Sequence, residues 1–252
     1  MTVLTFLGTS AAIPSKQRGF SCISVQEDED IVLMDCGDGA MGNIMKFDID
    51  VRKISSILIS HYHSDHLSGL TQIIETMGIK RRTEDLNIFG PPGLKEYLSV
   101  VQKTTNVAFN RLFQIKLTEL SLNQEFTMQN QKVRSFEMDH TLPCLGYRLE
   151  SRGKVIAYTG DTQPCPSVNG LGLESDVLIH EATYLQKEVK LARPTKHSTS
   201  REAADAALAC KTGNLILTHV NDDHETPEEM IAEAGQIFGK VVIAHDGLKI
   251  QL

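Results

Sequence analysis

The sequence contains no apolar run approaching the ~20 residues that cross a bilayer, so no helical membrane span is expected. Its first residues, MTVLTFLGTS, lack a charged segment followed by an apolar one, so no secretory leader is expected. It has no CxxC pair. The five cysteines (Cys22, Cys36, Cys144, Cys165, Cys210) are scattered and odd in number. That speaks against a disulfide framework and a cysteine zinc site, and points to a reducing cytoplasm. It has no excess of positive charge. The formal net charge of −7 argues against a broadly basic nucleic-acid surface, although it leaves room for a local one and omits any bound metal. No internal repeat, low-complexity tract or Pro/Gly/Ser linker interrupts it. One domain, residues 1–252, is expected, long enough to bury a sizeable core.

What remains is ordinary for a globular chain: 41% hydrophobic and 23% charged residues. Short β-rich runs mix with amphipathic segments. The pattern predicts strands at 2–7, 21–26, 31–35, 55–60, 86–89, 113–118, 132–138, 145–150, 154–159, 176–180, 214–218 and 240–244. Helices are predicted at 40–47, 65–77, 92–103, 184–190, 200–210 and 227–237. Three starts are readable. Ser64 precedes Asp65, Ser198–Ser200 precede Arg201, and Thr226-Pro227-Glu228-Glu229 combines a cap, an N1 proline and first-turn acids.

Several apolar runs end in one kind of residue. Asp35, His61, Asp161, the pair His180 and Glu181, His219, and the pair His245 and Asp246 each follow such a run. In layered α/β folds, functional side chains gather on loops at one edge of a rigid sheet. Strands often end in polar residues, which would explain any one case. It explains six poorly, because nearly all are Asp, His or Glu.

The densest cluster is His61-Tyr62-His63-Ser64-Asp65-His66. Imidazole suits borderline-soft cations and carboxylate suits harder or bridging contacts. His61 and His63, two apart at a strand end, can point the same way. Asp65 and His66, opening the next helix, can turn toward a neighbouring point. The segment can thus serve two adjacent metal ions.

HYHSDH resembles the hallmark of the metallo-β-lactamase fold. Further stretches resemble its ribonuclease Z branch, the endonucleases that trim the 3′ end of precursor tRNA. They include FLGTSAAIPSKQRG (6–19), MDCGDGA (34–40), MDHTLPCLGYRL (138–149), YTGDT (158–162), LIHEATY (178–184), KHSTS (196–200), LTH (217–219) and AHDGLKI (244–250). The resemblance implies an α/β fold, a four-layer αβ/βα sandwich. It implies two divalent metal ions, zinc first, with manganese or iron as alternatives. One ion would be held by His61, His63, His140 and Asp161, and the other by Asp65, His66, Asp161 and His219, with Asp161 bridging. The residues alone agree for Asp161 and His219, which end strands, and leave His140 open. Two close cations activate water and neutralise charge on phosphate oxygens. Asp65 would also orient the nucleophile. His197 would be the general acid for the leaving 3′ oxygen, oriented by Glu181. His180, Asp35 and His245 are expected to be structural or to support ligands. Lys16 and Arg18 resemble a loop that contacts RNA phosphates. A homodimer is implied as well.

Two departures bear on substrate. Ribonuclease Z chains commonly carry a flexible arm between the segments matching LGYRLE and YTGDT. Here Leu149–Val155 reads as a tight hairpin turning at Arg152-Gly153. After His219 the family usually has a Ser-Arg-Tyr-like stretch, whereas this chain has Val220-Asn221-Asp222-Asp223-His224, read as a solvated loop. Phosphate contacts dominate nucleic-acid affinity, so both changes should weaken a grip on tRNA. Removal of the 3′ trailer from precursor tRNA is therefore the first expectation. A phosphodiesterase for small, cyclic or short RNA-derived esters is the alternative. A catalytically dead RNA-binding paralogue is disfavoured by the complete ligand set. Thioester or β-lactam hydrolysis is disfavoured by the HEAT and HST segments.

Overall fold

The computed structural model describes residues 1–105, 112–221 and 227–252. The chain divides into two compact units. One comprises Met1–Gly8, Lys16–Ser121 and Asp246–Leu252, the other Thr9–Ser15 and Leu122–His245.

The first unit is built on a seven-stranded sheet. Its strands are β1 (Thr2–Gly8), β2 (Cys22–Glu27), β3 (Asp30–Met34), β4 (Ile54–Leu58), β5 (Leu86–Gly90), β6 (Ile115–Glu119) and β14 (Lys249–Gln251), in the order β14-β1-β2-β3-β4-β5-β6. From β3 to β6 neighbouring strands are parallel. Alternate residues Ile31, Leu33, Ile57, Ile59, Leu86 and Ile88 pack on three helices. These are α1 (Ala40–Lys46), α3 (Leu70–Ile79) and α4 (Leu94–Thr105). A single turn, α2 (Ser64–Leu67), lies between β4 and α3.

The second unit has its own seven-stranded sheet. The strands β7 (Glu125–Met128), β8 (Gln131–Met138), β9 (Cys144–Ser151), β10 (Lys154–Tyr158), β11 (Val177–Glu181), β12 (Asn214–Thr218) and β13 (Val241–Ile243) run in reverse sequence order across it. Strands β10 to β13 are parallel, β7 to β10 antiparallel. Leu178, Leu215 and Leu217 pack on α5 (Ser167–Gly172), α7 (Ser200–Cys210) and α8 (Pro227–Gly235). The remaining helix, α6 (Val189–Thr195), precedes α7. No helix among the described residues is long and apolar enough to cross a membrane.

The hairpin expected at 149–155 is present. Ser151 pairs with Lys154, while Arg152 (φ 50°) and Gly153 (φ 74°) make the two-residue turn. Positive φ at both central positions belongs to the hairpin turn whose twist matches its strands, and it favours glycine at the second.

The differences from the sequence reading have local causes. The helix expected over 65–77 breaks at Gly69, whose N–H donates to Cys36 O instead of a carbonyl one turn back. Ser64 is inside α2 rather than before it, and His63 takes the cap position. The helix expected at 184–190 starts later. Tyr184 is held extended by a bridge to Thr199, a 3₁₀ turn covers Gln186–Glu188, and α6 follows until Pro194 and a left-handed Lys196 stop it. Strand β4 ends at Leu58 because the Ser60 N–H turns to the Asp35 carboxylate. Helix α7 is capped by Thr199, whose hydroxyl accepts from Glu202 N while Glu202 accepts from Thr199 N, a capping box. Helix α5 and the strands β7 and β14 were not anticipated. SVNGLG carries two glycines and has little helical tendency of its own. It forms by packing: a Cβ at Gly172 would stand 2.8 Å from Cys210 Sγ, so glycine is what lets α5 approach α7. Thr226, proposed above as a cap, lies outside the described residues, although Pro227 does open α8.

Candidate metal centre

In both sheets several candidate residues follow the carboxyl ends of parallel strands, where open α/β sheets place their ligands, whereas His140 follows the antiparallel β8. In the first unit Met34 is level with Leu58, so Asp35 and Ser60-His61 leave the sheet side by side. In the second unit Tyr158 is level with Ile179 and Glu181 with Thr218, which brings Asp161, Glu181 and His219 to one edge. Asp35 and His219 both have left-handed backbones, with φ of 59° and 58°. Side chains other than glycine pay for that conformation, and such residues cluster at functional sites.

The first unit contributes two pairs of donor atoms. His61 Nε2 stands 3.0 Å from His63 Nδ1, and His66 Nε2 stands 3.6 Å from Asp65 Oδ2. The second unit contributes two more pairs, which share one carboxylate oxygen. Asp161 Oδ2 is 3.4 Å from His219 Nε2 and 3.9 Å from His140 Nε2. Tetrahedral ligands about 2.0–2.1 Å from a zinc ion stand about 3.3 Å apart, so separations of this size leave room for donors to share a cation.

The far side of each ring supports the same reading. The Asp35 carboxylate accepts from Ser60 N (2.7 Å), from the Ser60 hydroxyl (2.7 Å) and from His66 Nδ1 (2.8 Å). Since the Ser60 proton goes to Asp35, its oxygen accepts from His61 Nδ1 at 3.0 Å. Glu181 repeats the arrangement. It accepts from His197 Nδ1 (2.8 Å) and from the Thr183 hydroxyl (3.0 Å), whose oxygen accepts from His219 Nδ1 at 2.8 Å. Each buried carboxylate thus serves one histidine directly and a second through a hydroxyl. His140 Nδ1 donates to Lys196 O at 3.3 Å. In four of the five candidate histidine ligands, His61, His66, His140 and His219, Nδ1 carries the proton and Nε2 presents its lone pair. Metal-binding histidines are oriented in this way.

Glu181 is fully buried and accepts from three backbone N–H groups besides, those of Thr162, Ser198 and Thr183. Burial pushes its pKa up, but the charge and hydrogen bond of His197 outweigh that and hold the carboxyl below its usual value. It is therefore ionised, with His197 Nδ1 fixed as its donor. His197 stacks on His219 at a ring separation of 5.2 Å, and Asp161, His197 and His219 offer atoms within 4.8 Å of one another. Lys196 Nζ reaches Asp139 at 2.8 Å and holds that carboxyl below its usual range.

Other expectations resolve less evenly. Lys16 is exposed, whereas Arg18 is only 5% exposed and engaged with its surroundings, so Lys16 is the one that offers charge to solvent. His180 is buried, with Nδ1 donating to Glu181 O, in keeping with a structural role. Asp246 accepts from Gly19 N and the Asn43 amide and so fastens the loop that carries Lys16 and Arg18. His224, Asp222 and Asp223 lie outside the described residues. Ser60 and Thr183 were missed as supporting residues. Their signal was a hydroxyl just before a strand-end histidine and the threonine that closes HEAT.

Asp35→Asn tests the supporting shell. The amide keeps the size and tolerates the left-handed backbone but loses the charge that serves His66 and, through Ser60, His61. We expect metal affinity to fall about 10–100-fold in a chelator competition titration, and unchanged affinity would contradict the relay.

A family model described as "Beta-lactamase superfamily domain" matches residues 31–220. The chain is 28% identical to the ribonuclease Z of Nitrosopumilus maritimus, with 99% of each chain covered. It is 26% identical to that of Methanosarcina acetivorans, covering 100% of this chain and 98% of the relative. The first alignment runs over 298 residues against the 252 of this chain, so that relative has residues without a counterpart here. Among solved structures, human tRNase Z, short form, aligns with a TM-score of 0.86 at 27% identity, covering 100% of this chain and 99% of that one. The metallo-β-lactamase fold protein YhfI of Bacillus subtilis aligns with a TM-score of 0.86 at 20% identity, over 99% and 98%, a likeness of fold.

Proposed function

Because the chain belongs to the beta-lactamase superfamily, its model matching residues 31–220, we propose that it is a metal-dependent phosphodiesterase of the ribonuclease Z type. Its expected reaction is endonucleolytic removal of the 3′ trailer from precursor tRNA. The observation that carries this reading is the Glu181–His197 pair beside Asp161 and His219. A ligand set alone fits many hydrolases, whereas a buried, oriented proton donor suits a leaving group as poor as a ribose 3′ oxygen.

In this reading residues 1–252 work as one catalytic domain holding two divalent ions. His61, His63, His140 and Asp161 would hold one, and Asp65, His66, Asp161 and His219 the other. Mixed imidazole and carboxylate donors suit zinc best, with manganese and iron as alternatives. Such ions supply an activated water and neutralise developing charge on phosphate. The protein's own residues do the rest. Asp65 orients the nucleophile, and His197, held by Glu181, delivers a proton to the leaving oxygen. Lys16 contacts backbone phosphate, joined by Arg18 if its loop opens. A homodimer in the cytoplasm completes the proposal.

A second reading, favoured by the two-residue turn at Arg152-Gly153, is a phosphodiesterase for small or short RNA-derived esters. The metal-loaded protein should be given a 3′-extended precursor tRNA and, in parallel, bis-p-nitrophenyl phosphate. Cleavage of the tRNA at the trailer junction supports the first reading. Cleavage of the small ester alone overturns it in favour of the second, and cleavage of neither overturns both.

A further inference from the structure

A cavity of about 300 Å³ lies in the second unit, and none of the candidate metal ligands lines it. Cys165, Val168, Ala206 and Ala209 form apolar walls, and His180 and Asp205 supply polar groups. The space is about ten times the share of one liquid water and is near the lower end of small-molecule sites.

His180 is the feature that asks for an occupant. It is 1% exposed, and its Nδ1–H donates to Glu181 O at 2.7 Å. Burial holds its pKa below the ordinary imidazole value, so the ring is neutral and Nε2 is an acceptor. That nitrogen has no hydrogen-bond partner among the described residues, while its side chain lines the cavity. Open to the cavity, it can be reached by water, and a ligand N–H can take that water's place. The charge around the space is negative. Asp205 is exposed and forms no ion pair among the described residues, and Glu202 adds a second carboxylate, itself engaged by Arg193 and Thr199 N. An anionic phosphodiester would be repelled here, so the cavity is no extension of the proposed substrate site.

We propose that this cavity is a second, separate binding site for a small organic cation that carries N–H donors on an apolar body, such as an amidinium or a protonated amine. One N–H donates to His180 Nε2, the positive charge faces Asp205, and the body fills the space between α5 and α7. None of the residues lining the site is a candidate ligand or proton donor, although Ser198 and His180 at its wall hydrogen-bond to Glu181.

Isothermal titration of the intact, metal-loaded chain with benzamidine tests it, with neutral benzamide as the control. Saturable one-site binding of benzamidine is expected, with benzamide about tenfold weaker. Asp205→Asn, at an exposed position, should weaken benzamidine about tenfold. Ala206→Phe should fill the space and abolish binding at an unchanged melting temperature. Absence of saturable benzamidine binding, equal affinity for benzamide, or undiminished binding to Ala206→Phe would each overturn the proposal.

Discussion

Asp161→Ala is expected to lower kcat/KM on any phosphodiester by at least ~10³-fold, and to lower the metal content. Its carboxylate is 3% exposed, and one oxygen faces both His219 and His140. Two cations that share a carboxylate are screened from each other by its charge. Without it, the remaining candidate donors on that side would be neutral imidazoles, and each ion would lose an anionic ligand. Metal-based charge stabilisation is worth several kcal/mol, and each 1.36 kcal/mol is a factor of ten in rate. Asp161→Asn separates charge from shape: it retains the side-chain volume and should still lose most of the activity. Steady-state kinetics on bis-p-nitrophenyl phosphate, with circular dichroism to confirm folding, check both. A kcat/KM for Asp161→Ala within about tenfold of the unsubstituted protein would refute the shared-ligand role.

His197→Ala should produce a loss that depends on the leaving group. Nδ1 is committed to Glu181 at 2.8 Å, leaving Nε2 to move a proton. A ribose 3′ oxygen is a strong base and departs poorly without one. Nitrophenolate departs as the anion. A positioned general acid contributes about 10²–10⁴-fold, so the variant should lose that much on an RNA substrate and less than about tenfold on bis-p-nitrophenyl phosphate. Glu181→Gln should follow the same pattern more mildly, because the amide still accepts from His197 but no longer stabilises the imidazolium. Equal losses on the two substrates would contradict the general-acid role and place His197 among the metal ligands, for which it is near enough to Asp161 and His219.

Much of this site was legible because its residues announce themselves by type and position. His61, Asp161 and His219 each follow an apolar run that the structure makes a parallel strand, β4, β10 and β12. Period-two apolar patterns locate such strands and hence their ends. His140 was open for the opposite reason. It sits between two antiparallel strands, and what orients it is a backbone carbonyl, Lys196 O, from a distant segment. No side-chain pattern encodes a carbonyl. The hydroxyl relays through Ser60 and Thr183 were invisible for a related reason: serine and threonine at strand ends are common, and only the contact with a specific carboxylate gives them meaning. Helix α5 was missed because its glycines lower its intrinsic tendency while enabling the close packing that forms it. The tight hairpin at Arg152-Gly153 was the easiest feature of all, since its turn is set by two adjacent residues.

The central proposal is that the candidate ligands hold two ions, with Asp161 serving both. Metal analysis of the purified, fully loaded protein against its concentration tests this most directly. Two ions per chain are expected, with a clear fall in Asp161→Ala. One tightly held ion per chain, or two that survive the loss of Asp161, would contradict it.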